Sequence, residues 1–262
     1  MRASALLAAL SLAATSSGTA APKRVASLNL CTDELLLLLA DPHQVASVTH
    51  LSRQPQESSL WTRARRYRAN DGSLLGVVRF KPDLILTMGG GARDRHVIAE
   101  KLKVPIVDLS YPQDLRDLRM SIATVGRVLG RPGAARAMNA RIDQLQAARP
   151  RSSIDAIWLG GGGRTVASHG LAADWMRLAG MKQRSFTGDR VSLEQLLVRP
   201  PGILLRSDYR QGQYSSEQRW LSHPLAKQVR AGKTLATDGR AWTCMGPTLV
   251  AEIERLRREL GR

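Results

Sequence analysis

"RVASLNLCTDELLLLLADPHQVASV", residues 24–48, sets an unbroken row of five leucines between two short runs rich in Val, Ala and Ser. From Leu35 to Ala40 the apolar row is six residues long, whereas a helix that crosses a bilayer needs about 20. The row therefore reads as the buried part of a helix. Its start is polar: Thr32 or Asp33 can cap it, because a side-chain oxygen there satisfies a backbone N–H that the helix leaves unpaired. With "RVASLNL" and "QVASVTHL" as strands on either side, the stretch is a strand–helix–strand unit, which predicts a parallel sheet.

Working outward, a polar loop "SRQPQESS" follows, then "KPDLILTMGGG" as a third strand ending in glycines and "VPIVDLSYP" as a fourth ending at Tyr111. The pattern then changes. Leu115, Leu118, Ile122, Val125 and Leu129 recur at helical spacing with no strand between them, and after "GRPG" the spacing resumes at Ala135, Met138, Ile142 and Leu145. Pro132 suits the first turn of that second helix. A further series follows: "SIDAIWL" as strand, "GGGG" as turn, "LAADWMRLAGM" and "SLEQLLV" as helices, "GILLR" and "GKTLATD" as strands, and "PTLVAEIERLRREL" as the closing helix. Two α/β lobes thus flank a helical connector. The expected boundaries are a lobe over 21–112, the connector over 113–149 and a second lobe over 150–262.

Residues 1–20 have the layout of a secretory signal peptide: Arg2, an apolar stretch from Ala3 to Ala14, and small residues up to a cut after Ala20. Export would place the mature chain outside the cytoplasm, as a periplasmic protein. The chain carries 39 basic and 22 acidic residues, net +17, which invites anionic partners. The arginines are scattered, however, and the one dense run, "RARRYR" at 63–68, lacks the interleaved aromatics of a single-strand binding surface. No nucleic-acid partner is expected.

Familiar catalytic motifs are missing. "GGGG" at 160–163 is followed by Arg164 and Thr165 at the wrong spacing for a phosphate loop, and there is no H-E-x-x-H or G-x-S-x-G. The five histidines are dispersed; His50, at a strand end, is the best ligand candidate. Trp242 in "AWTCMGP", with Tyr111 and Tyr209 after strand ends, offers aromatic surface for a flat ligand. Cys31 and Cys244 form an even pair, which in an oxidising compartment invites a disulfide but equally permits a soft-metal site. In parallel α/β sheets ligands gather at the carboxyl ends of the strands, and both cysteines, like these aromatic residues, stand at such ends.

"PKRVASLNLCTDELLLLLADPHQVASV", "VRFKPDLIL", "VGRVLGRPGAARAMNARIDQL", "VSLEQLLVRPPGILL" and "HPLA", in this order and spacing, resemble the helical-backbone (class III) substrate-binding proteins of ABC importers for iron siderophores, haem and cobalamin. The resemblance implies two Rossmann-like lobes with central parallel sheets, joined by a single long backbone helix near 133–149, with ligand in the cleft between them. Carried onto this chain, it places ligand contacts at Cys31 and Thr32, at His50 and Arg53, and at Gly90 and Arg93. Tyr111, Tyr209, Trp242 and Cys244 complete the set. It also implies a permease-docking acid on each lobe: Glu194 matches in the second, but Leu75 stands at the matching position of the first.

The implied function is delivery of a bulky metal chelate, a cobalamin-like corrinoid ahead of a ferric siderophore or haem, to an ABC permease. No intrinsic cofactor, no enzymatic activity and a monomer are expected. A rival reading is a metal-binding or thiol redox protein using Cys31 and Cys244 across the cleft; an enzyme on the same fold is the more distant one.

Overall fold

The computed structural model describes residues 20–89, 100, 103–209, 223–224 and 228–262. The segment read as a signal peptide, 1–20, lies outside these except for Ala20, as do Gly90 and Arg93.

In the first lobe, strands β1 (Val25–Ser27), β2 (Val45–Thr49), β3 (Arg68–Asn70), β4 (Leu84–Met88) and β5 (Ile106–Leu109) form a sheet in the order β3-β2-β1-β4-β5, parallel throughout. Helices α1 (Leu30–Leu39), α2 (Trp61–Ala64) and α3 (Leu74–Val78) connect them. The leucine row is the core of this lobe: Leu35, Leu36, Leu37 and Leu39 are buried, and Leu38 is half-buried.

The helix begins five residues before the leucine row, and its cap is Asn29 rather than Thr32 or Asp33. Asn29 is extended, at φ −149°, and its Oδ1 accepts from the N–H groups of Cys31 and Thr32 at 3.1 and 2.9 Å. Thr32 and Asp33 are already inside the first turn, so their side chains bond sideways into the sheet. Thr32 shares a 2.7 Å hydroxyl bond with Ser27, and Asp33 accepts from the Thr49 N–H and hydroxyl. The run "RARRYR" contributes Arg68 to β3, a polar edge strand of the kind that discourages pairing with other chains.

The connector holds the two helices that the spacing implies, α4 (Leu115–Val128) and α5 (Pro132–Ala147). All five apolar positions of the first period, 115, 118, 122, 125 and 129, are buried. Pro132 opens the second helix, whose 16 residues span about 24 Å at 1.5 Å per residue. The two cross closely at Gly126, where a Cβ would come within 2.3 Å of the Ala135 Cβ.

The second lobe has β6 (Ile154–Leu159), β7 (Met181–Gln183), β8 (Ile203–Ser207) and β9 (Lys233–Thr237) in the order β7-β6-β8-β9, again all parallel. Its helices are α6 (Gly170–Leu178), α7 (Leu193–Val198), α8 (Gly239–Cys244) and α9 (Leu249–Glu259). Two expectations change here. Met181 opens a strand beside β6 rather than ending a helix, and most of the expected loop at 241–247 is helix, because Asp238 caps Arg240 N and Met245 ends the turn in a left-handed conformation, φ 50°. Buried Arg257 ties the connector to this lobe, donating to the carbonyls of Leu145 and Leu178 at 2.6 Å each. Among the described residues no helix is long and apolar enough to cross a membrane.

Candidate functional site: the cleft between the lobes

Among the described residues the disulfide and three hydrogen bonds join segments after β1 and β2 to segments after β8 and β9, so the carboxyl ends of the two sheets face each other. Cys31, in the first turn of α1, is disulfide-bonded to Cys244 at the end of α8, with Cα atoms 5.2 Å apart, well within bridging distance. One turn along α1, the Glu34 carboxylate accepts from Thr248 N–H at 2.8 Å. The loop after β2 reaches over as well: Tyr209 Oη donates to Glu57 Oε2 at 2.6 Å, and Arg240 Nη1 donates to the Pro55 carbonyl at 2.7 Å. Glu57 is buried by this contact.

The bond settles the fate of the thiols. Among the described residues there is no free cysteine and no cluster of three His, Cys, Asp or Glu that could hold a metal. Both sulfur atoms are bonded to each other, so the rival soft-metal site at Cys31 and Cys244 is corrected: as a disulfide they offer no thiolate to ligate.

The remaining predicted residues divide. His50 is exposed at the end of β2, and Arg53 lies three residues on, half-buried, with its Nε shielded from water and without a hydrogen-bond partner among the described residues. Tyr111 is 56% exposed and lies across Gly89, where a Cβ would come within 2.4 Å of the ring. Gly89 has φ 106°, so only a residue without a Cβ suits both its backbone and the ring. Tyr209 faces the cleft, engaged with Glu57. Thr32 and Trp242 do not present themselves to a ligand. Thr32 is fully buried, and Trp242 is 3% exposed, a core residue whose Nε1 donates to Thr237 Oγ1 at 2.7 Å. It packs at 6.0 Å against Trp158, a half-buried ring at the end of β6. The aromatic platform expected at Trp242 is thus replaced by a buried tryptophan pair.

Sequence inspection missed Glu34, Glu57 and Arg240. Glu34 had a usable signal: it lies three residues after Cys31, which puts both on one helical face. Residues 31, 34 and 38 are the partly exposed positions of α1 beyond its first residue, Leu30. That face meets the second lobe.

Burial raises the Glu34 carboxyl from 4.5 to about 7, against the opposing hydrogen bonds from Thr248. Burial likewise lifts Asp33 from 3.8 to about 6, outweighing the Thr49 and Ser27 hydrogen bonds. A raised folded-state pKa means that the native state holds a proton the unfolded chain has lost, so stability falls as pH rises through the window. For Glu34 the window runs from about 4.5 to about 7, at about 1.4 kcal/mol per pH unit and at most about 3 kcal/mol in all. Glu34→Gln keeps an acceptor for Thr248 and abolishes this loss. Melting temperatures of the variant should exceed the parent's at pH 8 and fall less between pH 5 and 8; parallel profiles would contradict the assignment.

On the second lobe, Glu194 is exposed in the first turn of α7, its carboxyl held below the ordinary value by the Ser192 hydroxyl. Leu75, in α3 of the first lobe, is 72% exposed. Asp71 instead accepts from the N–H and hydroxyl of Ser73, which holds its carboxyl low and orders the turn before α3.

Several solved structures share the whole architecture. A periplasmic heme binding protein from Pseudomonas aeruginosa matches with TM-score 0.66 and 19% identity, covering 91% of this chain and 92% of that one. The periplasmic heme binding protein HutB of Vibrio cholerae matches with TM-score 0.71 and 17% identity over 90% and 98%. The periplasmic vitamin B12 binding protein BtuF of Vibrio cholerae gives TM-score 0.62 and 17% identity over 92% and 97%. At these identities the likeness establishes the fold. No curated protein matches the chain in sequence. The periplasmic binding protein family matches residues 25–235, across both sheets and the connector, and the chain belongs to that family.

Proposed function

We propose that this chain is an exported, non-enzymatic receptor that holds a metal tetrapyrrole, haem or a cobalamin-like corrinoid, between its lobes and delivers it to an ABC permease. Ferric siderophores are the further candidates. The likeness to heme and vitamin B12 binding proteins supports the ligand class. The observation that carries the reading is Arg53: a half-buried guanidinium at the cleft whose Nε has no partner among the described residues. A guanidinium in that state suits an acidic group brought by a ligand, through paired N–H donors. With Trp242 in the core, the argument that ranked corrinoids ahead of haem loses its platform, and the two stand level. Exposed Glu194 serves as the permease contact of the second lobe, and Leu75 leaves the first lobe with an apolar one.

Titration with haemin, cyanocobalamin and a ferric hydroxamate, followed by absorbance and tryptophan fluorescence, tests this. Affinity weaker than millimolar for all three would end the reading. Charged hydrogen bonds contribute about 1.5–3 kcal/mol, so Arg53→Ala should weaken haemin binding about tenfold or more.

A further inference from the structure

We propose that the Cys31–Cys244 disulfide is a redox-released clasp on the cleft, holding the lobes together until a dithiol reductant cuts it and frees the ligand; the release of ligand rests on the function proposed above, whereas the clasp does not. Among the described residues the disulfide and three hydrogen bonds, Glu34 to Thr248, Tyr209 to Glu57 and Arg240 to Pro55, join the two lobes. The three hydrogen bonds can break and re-form with water on the timescale of lobe motion. Only the disulfide cannot, so while it stands α1 and the α8–α9 turn stay within a Cα separation of 5.2 Å.

The clasp is placed to control that motion. It lies at the strand-end face, with Cys31 packed against the edge of the hydrophobic core, and both half-cystines are half-buried rather than enclosed. The second lobe is braced behind it, because Trp175 Nε1 donates to the carbonyl of Met245, next to Cys244, at 2.9 Å. Gly246 also lies so near Glu34 that a Cβ there would meet Oε1 at 2.4 Å, so the two surfaces touch directly beside the bond.

The chemistry is thiol–disulfide exchange. A thiolate of the dithiol attacks Cys244 Sγ, forming a mixed disulfide as the Cys31–Cys244 bond breaks. Cys31 leaves as the thiolate, since its sulfur stands in the first turn of the ten-residue α1, where the helix favours negative charge. The second thiol of the reductant then attacks the mixed disulfide and releases Cys244. The reductant loses two electrons and two protons to become a disulfide, and the two cysteines gain them as thiols.

The test uses the whole chain in three states: oxidised, reduced with dithiothreitol with thiols counted by mass spectrometry, and as the Cys31→Ser/Cys244→Ser double variant. Backbone hydrogen exchange is followed in peptides covering 245–250, which include the Thr248 amide. Exchange at least threefold faster in the reduced chain than in the oxidised one is expected, with circular dichroism unchanged; a smaller change, or a disulfide that resists dithiothreitol under native conditions, overturns the clasp. In situ reduction keeps the test valid should the double variant fold poorly. Haemin dissociation from the reduced chain should be about tenfold faster. Equal dissociation rates with faster exchange would overturn the release step alone, and failure of haemin to bind either state would count against the proposed ligand and leave the exchange result standing.

Discussion

Trp175→Ala should cost about 3–5 kcal/mol in urea unfolding, the range for truncating a buried aromatic and leaving a cavity. Trp175 is fully buried in α6 and is among the largest side chains in the core. Its indole N–H is also the partner of the Met245 carbonyl, at a residue held in the left-handed region, φ 50°. Since whole domains are stable by only about 5–15 kcal/mol, the variant should lose a large share of its stability and melt well below the parent. Trp175→Phe retains most of the volume and forfeits the hydrogen bond, for which about 1–2 kcal/mol is expected. A loss below 1 kcal/mol for the alanine variant would show that the lobe does not depend on this ring.

Replacing Cys31 and Cys244 together by Ser should lower stability by about 2–4 kcal/mol. The cysteines are 213 residues apart in sequence, so the bond closes nearly the entire chain and restricts the unfolded ensemble strongly. Because it joins two lobes rather than two parts of one core, its removal should also separate their unfolding into two transitions, with the connector helices following the second lobe through Arg257. Coincident denaturation curves for parent and variant would mean that the unfolded chain gains nothing from the freedom restored to it.

Much of the fold was legible where periodicity was long. The five buried positions of α4 and the leucine row of α1 are patterns that a single helix face or a single core imposes on consecutive residues. β3 and β7 were not legible: each is three residues long, too short to show alternation, and each exists because a neighbouring strand offers unpaired backbone groups. "RARRYR" was legible as charge but not as the approach to an edge strand. Capping misled by three or four residues because Asn, Thr and Asp compete for the same role, and Ser27 and Thr49, brought close only by the sheet, engage Thr32 and Asp33.

The candidate site was legible as a set of strand ends but not as a set of contacts. Tyr209 meets Glu57 across the gap from its strand end, whereas Trp242 turned inward to Thr237 and Trp158. Whether an aromatic ring after a strand faces solvent or the core depends on one or two backbone torsions, which the helix Gly239–Cys244 sets.

By itself, then, the sequence determined the alternation of strand and helix, the two lobes and the connector, because these follow from spacing along the chain. Tertiary structure decided the rest: that two sulfurs from opposite lobes meet, that Glu34 faces Thr248, and that Tyr209 meets Glu57. Those outcomes depend on distances between residues far apart in sequence, and only the packing of one lobe against the other fixes such distances.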